Sequence, residues 1–158
     1  MGNGTKRHRI LAPCNGRTVE LAKVPDPVFS EKMTGDGLAI LAEGDEIVAP
    51  CDGTITLFFD TKHAFAVTTD DGVQVLVHIG LDSVILNGEG IEAMCRRGDR
   101  VRAGEPVMRI DLDYFKKQEI NLISPVLIVN FEKVQGLQAQ PEGEEVHAGE
   151  DAVLAFAV

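Results

Sequence analysis

Two of the four histidines in the 158 residues, His63 and His78, fall where they can act together. Residues 61–80 read as two β-type runs flanking Asp71-Gly72, and an Asp-Gly pair between apolar runs is the strongest short-range hairpin signal. A four-residue loop over residues 69–72 sets Thr68 against Val73 and, counting outward, His63 against His78, with Cβ atoms about 4.5–5.5 Å apart. A two-residue loop moves His78 opposite Phe65 and leaves the two imidazoles as diagonal neighbours on one face. Along the second run Val73, Val75, Val77 and Ile79 point one way, and Gln74, Leu76 and His78 the other.

Such a pair suits three chemistries. A neutral imidazole nitrogen can attack phosphorus while the second ring donates a hydrogen bond to the phosphoryl oxygens. Both rings can bind zinc, given further ligands. They can also serve as general acid and base, because imidazole titrates near neutrality. Spacing alone leaves all three open.

The elements that must hold the histidines are short and β-rich. Runs at residues 54–59, 64–68, 73–79, 126–131 and 152–158 are rich in β-branched and aromatic residues, and sixteen glycines punctuate the chain. Helical pieces are expected only around residues 27–33 and 111–117, the latter with aspartates placed to cap it. Two echoes point to a duplicated β-unit. Ile10-Leu11-Ala12-Pro13-Cys14-Asn15-Gly16 recurs as Ile47-Val48-Ala49-Pro50-Cys51-Asp52-Gly53, and Val101-Arg102-Ala103-Gly104-Glu105 as Val146-His147-Ala148-Gly149-Glu150. The expected fold is all-β: an antiparallel β-sandwich or barrel-like domain with an internally duplicated β-unit and short helical turns. Residues 1–9, polar and basic without periodicity, read as a flexible leader or tag, leaving residues 10–158 as one domain.

Composition narrows the partners. Twenty-five acidic against fifteen basic residues give a net charge of −10, which disfavours nucleic acid and anionic membranes. No apolar run approaches the roughly 20 residues that cross a bilayer, so a soluble, cytoplasmic chain is expected. Cys14, Cys51 and Cys95 lack metal or redox spacing and read as reduced thiols.

The residues around the histidines carry a further signal. The stretches Pro25-Asp26-Pro27-Val28-Phe29-Ser30-Glu31-Lys32-Met33-Thr34-Gly35-Asp36-Gly37, Val48-Ala49-Pro50-Cys51-Asp52-Gly53-Thr54-Ile55, Thr61-Lys62-His63-Ala64-Phe65, Val75-Leu76-Val77-His78-Ile79-Gly80-Leu81-Asp82-Ser83-Val84 and Leu86-Asn87-Gly88-Glu89-Gly90 stand in this order. From Ile10 to the carboxyl end the chain resembles the IIA component of the glucose family of the bacterial phosphoenolpyruvate-dependent sugar phosphotransferase system. The resemblance implies a cytoplasmic phosphotransferase relay on a small antiparallel β-sandwich. In it His78 takes phosphate on Nε2 from the phosphocarrier protein HPr and gives it to a cysteine of a IIB domain, which serves a membrane IIC domain. It implies that His63 stabilises the phosphoryl group and that Thr61 orients His63. Phe29 and Phe59 match apolar docking positions, although either phenylalanine suits core packing equally well; Asp26 and Asp82 match acidic positions facing arginines of HPr, and Val84 extends the rim. Regulatory protein targets are a further implied class of partner. No cofactor or metal is required by this chemistry, although His63 and His78 can hold adventitious zinc.

Two other readings share parts of the pattern. A zinc peptidase of the lysostaphin type has a similar duplicated β-unit but needs a His-x-His pair, which the sequence lacks. A biotinyl or lipoyl carrier needs a lysine at a hairpin tip, where this chain has Thr69-Asp70-Asp71-Gly72.

Overall fold

The computed structural model describes residues 6–158. In chain order its strands are β1 (Arg7–Leu11), β2 (Gly16–Glu20), β3 (Asp36–Ala42), β4 (Glu46–Val48), β5 (Gly53–Phe58), β6 (Ala64–Thr68) and β7 (Gln74–His78). There follow β8 (Ile91–Ala93), β9 (Arg100–Val101), β10 (Pro106–Ile110), β11 (Ile123–Ile128), β12 (Gln135–Ala139), β13 (Glu145–Val146) and β14 (Ala152–Ala157). Neighbouring strands pair antiparallel in an eight-stranded sheet, β13-β2-β3-β11-β7-β6-β5-β9, and two three-stranded sheets, β1-β14-β12 and β4-β10-β8. The ends of the large sheet, β13 and β9, do not pair with each other, so the expected antiparallel sandwich forms without a closed barrel.

Both faces of the large sheet are covered. On one face Leu38, Ile40, Phe65, Val67, Val75, Val77, Val126 and Ile128 join Ile10, Ile47, Met108 and Leu154 of the smaller sheets in the main core. On the other, a smaller cluster gathers Ala39, Ala64, Ala66, Leu76 and Leu127 with Leu21, Val24, Phe29 and Leu81 from connecting segments. The period of two therefore reads cleanly along β6 and β7, with alternate residues assigned to alternate cores.

The helices are short and capped as their sequences dictate. Asp26 accepts from the Val28 N–H at 3.1 Å to open α1 (Pro27–Ser30), with Pro27 at its first position. Asp111 accepts from the Tyr114 N–H at 3.0 Å to open α2 (Leu112–Lys117), which ends on two lysines that favour its C-terminus.

The duplicated motifs face each other as a pseudo-twofold pair. Leu11 N–H donates to Pro50 O and Val48 N–H to Pro13 O, both at 2.8 Å. Ala148 N–H donates to the Asn15 side chain at 2.7 Å and Ala103 N–H to that of Asp52 at 2.8 Å. Gly104 and Gly149 meet at φ +88° and +72°, where a Cβ on Gly149 would stand 3.1 Å from Gly104 Cα. The sequence repeats because the same bonds are made twice.

The expected leader is too long. Arg7, His8 and Arg9 belong to β1 and pair with Ala157, Phe156 and Ala155. His8 stacks on Phe156 at 5.2 Å between centroids, and its Nε2 lies 2.7 Å from Asp71 Oδ2. One inward residue between two outward arginines carries no apolar periodicity, so the sequence pattern alone does not mark this strand. Residues 1–5 of that expectation lie outside the described residues.

Candidate active site

The β6–β7 hairpin carries the histidine pair in a register that differs from both expected ones. Thr68 pairs with Gln74 and Ala64 with His78. The loop is the three residues 70–72, closed by Thr69 N–H to Val73 O at 2.9 Å and by Gly72 at φ +90°. That is the three-residue hairpin with a left-handed glycine at its last position. The Thr69 hydroxyl stabilises it by accepting from Val73 N–H at 2.9 Å and donating to Asp71 Oδ1 at 2.6 Å.

A shift of one residue sets His63 against Ile79, whose N–H donates to His63 O at 2.8 Å. In an ideal pleat this register sends the two imidazoles to opposite faces. They nevertheless meet, with ring centroids 5.0 Å apart and planes at 77°. His63 lies one residue ahead of β6, in a turn where Lys62 adopts φ +60° and donates its N–H to Phe59 O at 2.8 Å. The turn, not the strand period, brings His63 to the side of His78.

His78 sits at the end of β7, and its Nδ1 donates to Gly80 O at 2.7 Å. A carbonyl oxygen can only accept, so the neutral ring carries its proton on Nδ1 and keeps a lone pair on Nε2. Burial lowers the pKa of His78, while the Gly80 carbonyl, Asp26 and Asp82 act in the opposite sense. Both carboxylates thus lie close enough to act electrostatically on the ring.

His63 is 5% exposed. Its Nδ1 is 2.5 Å from the Thr61 hydroxyl, and Phe59 packs edge-on against its ring at 4.9 Å. Burial, with the neighbouring His78 as a second cause, pushes its pKa down to about 4. Both rings are therefore biased toward the neutral form that a nitrogen nucleophile and a directional hydrogen-bond donor require.

The other expected site residues divide into floor and rim. Phe29, a residue whose type suits core packing as well as a docking position, is 5% exposed and belongs to the smaller core, presenting its edge to His78 at 5.0 Å. Phe59 is 40% and Val84 49% exposed. Asp82 adopts φ 59° immediately before the 3-10 turn Ser83–Leu86 that carries Val84. Sequence reasoning passed over Met33 and Ile85, the most exposed large apolar side chains of the described residues, which follow α1 and adjoin Val84. It also assigned no role to Gly80, whose only signal is a glycine two residues beyond a histidine at a strand end.

A cleft of about 810 Å³ lined by Glu43, Asp45, Glu92, Arg109 and Asp111 shares no residue with this pair. Among the described residues no cluster of three or more histidine, cysteine, aspartate or glutamate side chains is placed to hold a metal ion. No described helix is long and apolar enough to cross a membrane.

Against this geometry, a family model described as "phosphoenolpyruvate-dependent sugar phosphotransferase system, EIIA 1" matches residues 8–134. The chain belongs to this family. It is 41% identical over 129 residues to the "PTS system glucose-specific EIIA component" of Borreliella burgdorferi, covering 82% of this chain and 68% of that protein. It is 46% identical over 121 residues to the "PTS system glucoside-specific EIICBA component" of Staphylococcus carnosus, where the match spans 77% of this chain and 18% of that longer protein. The solved structure of glucose permease IIA from Mycoplasma capricolum superposes with a TM-score of 0.86 at 37% identity, covering 95% of this chain and 96% of the other. The resemblance of the chain to the EIIA family and the antiparallel β-rich fold are thus upheld together.

Proposed function

We propose that this EIIA chain is a cytoplasmic phosphoryl relay, with His78 as the phosphate carrier and His63 as its stabiliser. The observation that carries the reading is the Nδ1–H bond of His78 to Gly80 O, which leaves Nε2 unprotonated beside a second neutral imidazole. In the first transfer the Nε2 lone pair forms an N–P bond as the N–P bond of phospho-HPr breaks, and the electron pair returns to the HPr histidine. In the second, a IIB cysteine thiolate forms an S–P bond as the His78 N–P bond breaks. With the Thr61 hydroxyl donating to His63 Nδ1, the opposite nitrogen of His63 carries a proton and donates to the phosphoryl oxygens, where negative charge must be held.

The exposed Phe59, Val84 and Ile85 with Asp26 and Asp82 suit a protein partner with an apolar centre and arginines, which is the surface proposed for HPr and IIB. The membrane IIC domain is reached only through IIB. Residues 10–158 act as one such unit, extended by β1 at its amino end. Incubation with phosphoenolpyruvate, the general phosphotransferase enzyme and HPr should add one acid-labile phosphate, read by intact mass. His78→Ala should take none; a phosphate that persists in that variant overturns the assignment.

A further inference from the structure

Two serines have no part in the relay chemistry, yet Ser83 and Ser124 are both completely buried. Both grip one peptide unit. The Ser83 hydroxyl donates to Ile79 O. Gly80 N–H donates to Ser124 Oγ at 3.0 Å, and the single Ser124 hydroxyl proton goes to Leu122 O at 3.0 Å. The Ile79–Gly80 unit is therefore held at both its carbonyl and its N–H.

The next unit is held too. Leu81 N–H donates to Asn121 O at 2.9 Å, and Gly80 O accepts from His78 Nδ1 at 2.7 Å. Gly80 turns between the two units at φ +71°, and a Cβ there would stand 2.9 Å from Asn121 O. A left-handed glycine is the most permissive point in a backbone, so its carbonyl direction must be imposed from outside. Three of the four bonds on these units come from groups other than His78, and two of those are the serines.

We infer that Ser83 and Ser124 are positioning residues that clamp the Ile79–Gly80 peptide and aim Gly80 O at His78 Nδ1, so that Nε2 is the nitrogen left free. The inference rests on the relay reading for its kinetic consequence, not for its effect on the ring. The satisfied hydroxyls also explain why two polar side chains lie at zero exposure beneath a transfer site.

The test is ¹⁵N NMR of the His78 ring at neutral pH in the unphosphorylated protein, paired with the rate of phosphorylation by phospho-HPr. Ser124→Ala and Ser83→Ala, checked for folding by circular dichroism, should convert the single Nδ1–H form into a mixture of tautomers and slow phosphorylation by up to about 100-fold. Ser124→Thr, which keeps the hydroxyl, should restore both readouts toward wild type. If an alanine variant fails to fold, Ser124→Cys, near in volume but a weak hydrogen-bonding group, takes its place with the same expectation. A folded variant with wild-type ring signals and rate overturns the clamp. A wild-type protein that takes no phosphate on His78 overturns the relay reading instead, and the tautomer shift still decides the clamp.

Discussion

The two faces of the large sheet are built from different side chains. The face toward the smaller sheets is filled by Phe65, Val67, Val75, Val77 and Ile40, all at 0% exposure. The opposite face presents Ala39, Ala64 and Ala66 from the same or neighbouring strands. Ala64 stands directly across the ladder from His78, so its small Cβ leaves room for the imidazole and for Phe29 beside it. One face is filled by branched and aromatic side chains, while the other sets alanines beside His78 and packs Leu76, Leu127 and Phe29 around them.

Phe65→Ala should cause the largest loss of stability, about 3–5 kcal/mol in urea denaturation, while the folded fraction still accepts phosphate. Retained stability would break the contrast between the faces. His63→Gln should do the reverse. Stability should stay near wild type at neutral pH and phosphate should still enter, but its departure to IIB should slow by about 100-fold in a stopped-flow or quench assay. Unchanged departure would remove His63 from the stabiliser role. Ala64→Val should crowd the His78 ring across the ladder, costing about 1–3 kcal/mol and slowing phosphorylation.

A further effect is one of pH. His63 has a folded pKa of about 4 against an ordinary value of 6.5, so between these values the unfolded chain binds more protons than the folded one. Stability rises with pH through that window and is lost on acidification, by at most about 1.4 kcal/mol per pH unit for this ring. His78, also lowered by burial, adds in the same sense. His63→Gln should flatten the slope of melting temperature between pH 4 and 6.5; an unchanged slope would show that the ring is not buried neutral.

Much of this was legible in the sequence because it depends on local pattern. The faces of β7 followed from the alternation of Val73, Val75, Val77 and Ile79 with Gln74, Leu76 and His78. The cap that Asp26 gives α1 is seen only in the structure, whereas the cap of α2 followed from Asp111, and the duplicated unit from two repeated motifs. The register did not, because Asp-Gly fits loops of several lengths and Thr69 closes this one through its side chain. Strand β3 is not legible because Asp-Gly-Leu-Ala-Ile-Leu-Ala lacks both alternation and β-branched density. The roles of Gly80, Ser83 and Ser124 are not legible in sequence because they are set by backbone groups that meet only in the fold.

The asymmetry between the two histidines is the central claim, and the site of the N–P bond tests it most directly. In protein labelled with ¹⁵N at histidine and phosphorylated through HPr, ³¹P coupling should appear at Nε2 of His78, with Nδ1 still protonated toward Gly80. Coupling at Nδ1, or at either nitrogen of His63, would contradict the account.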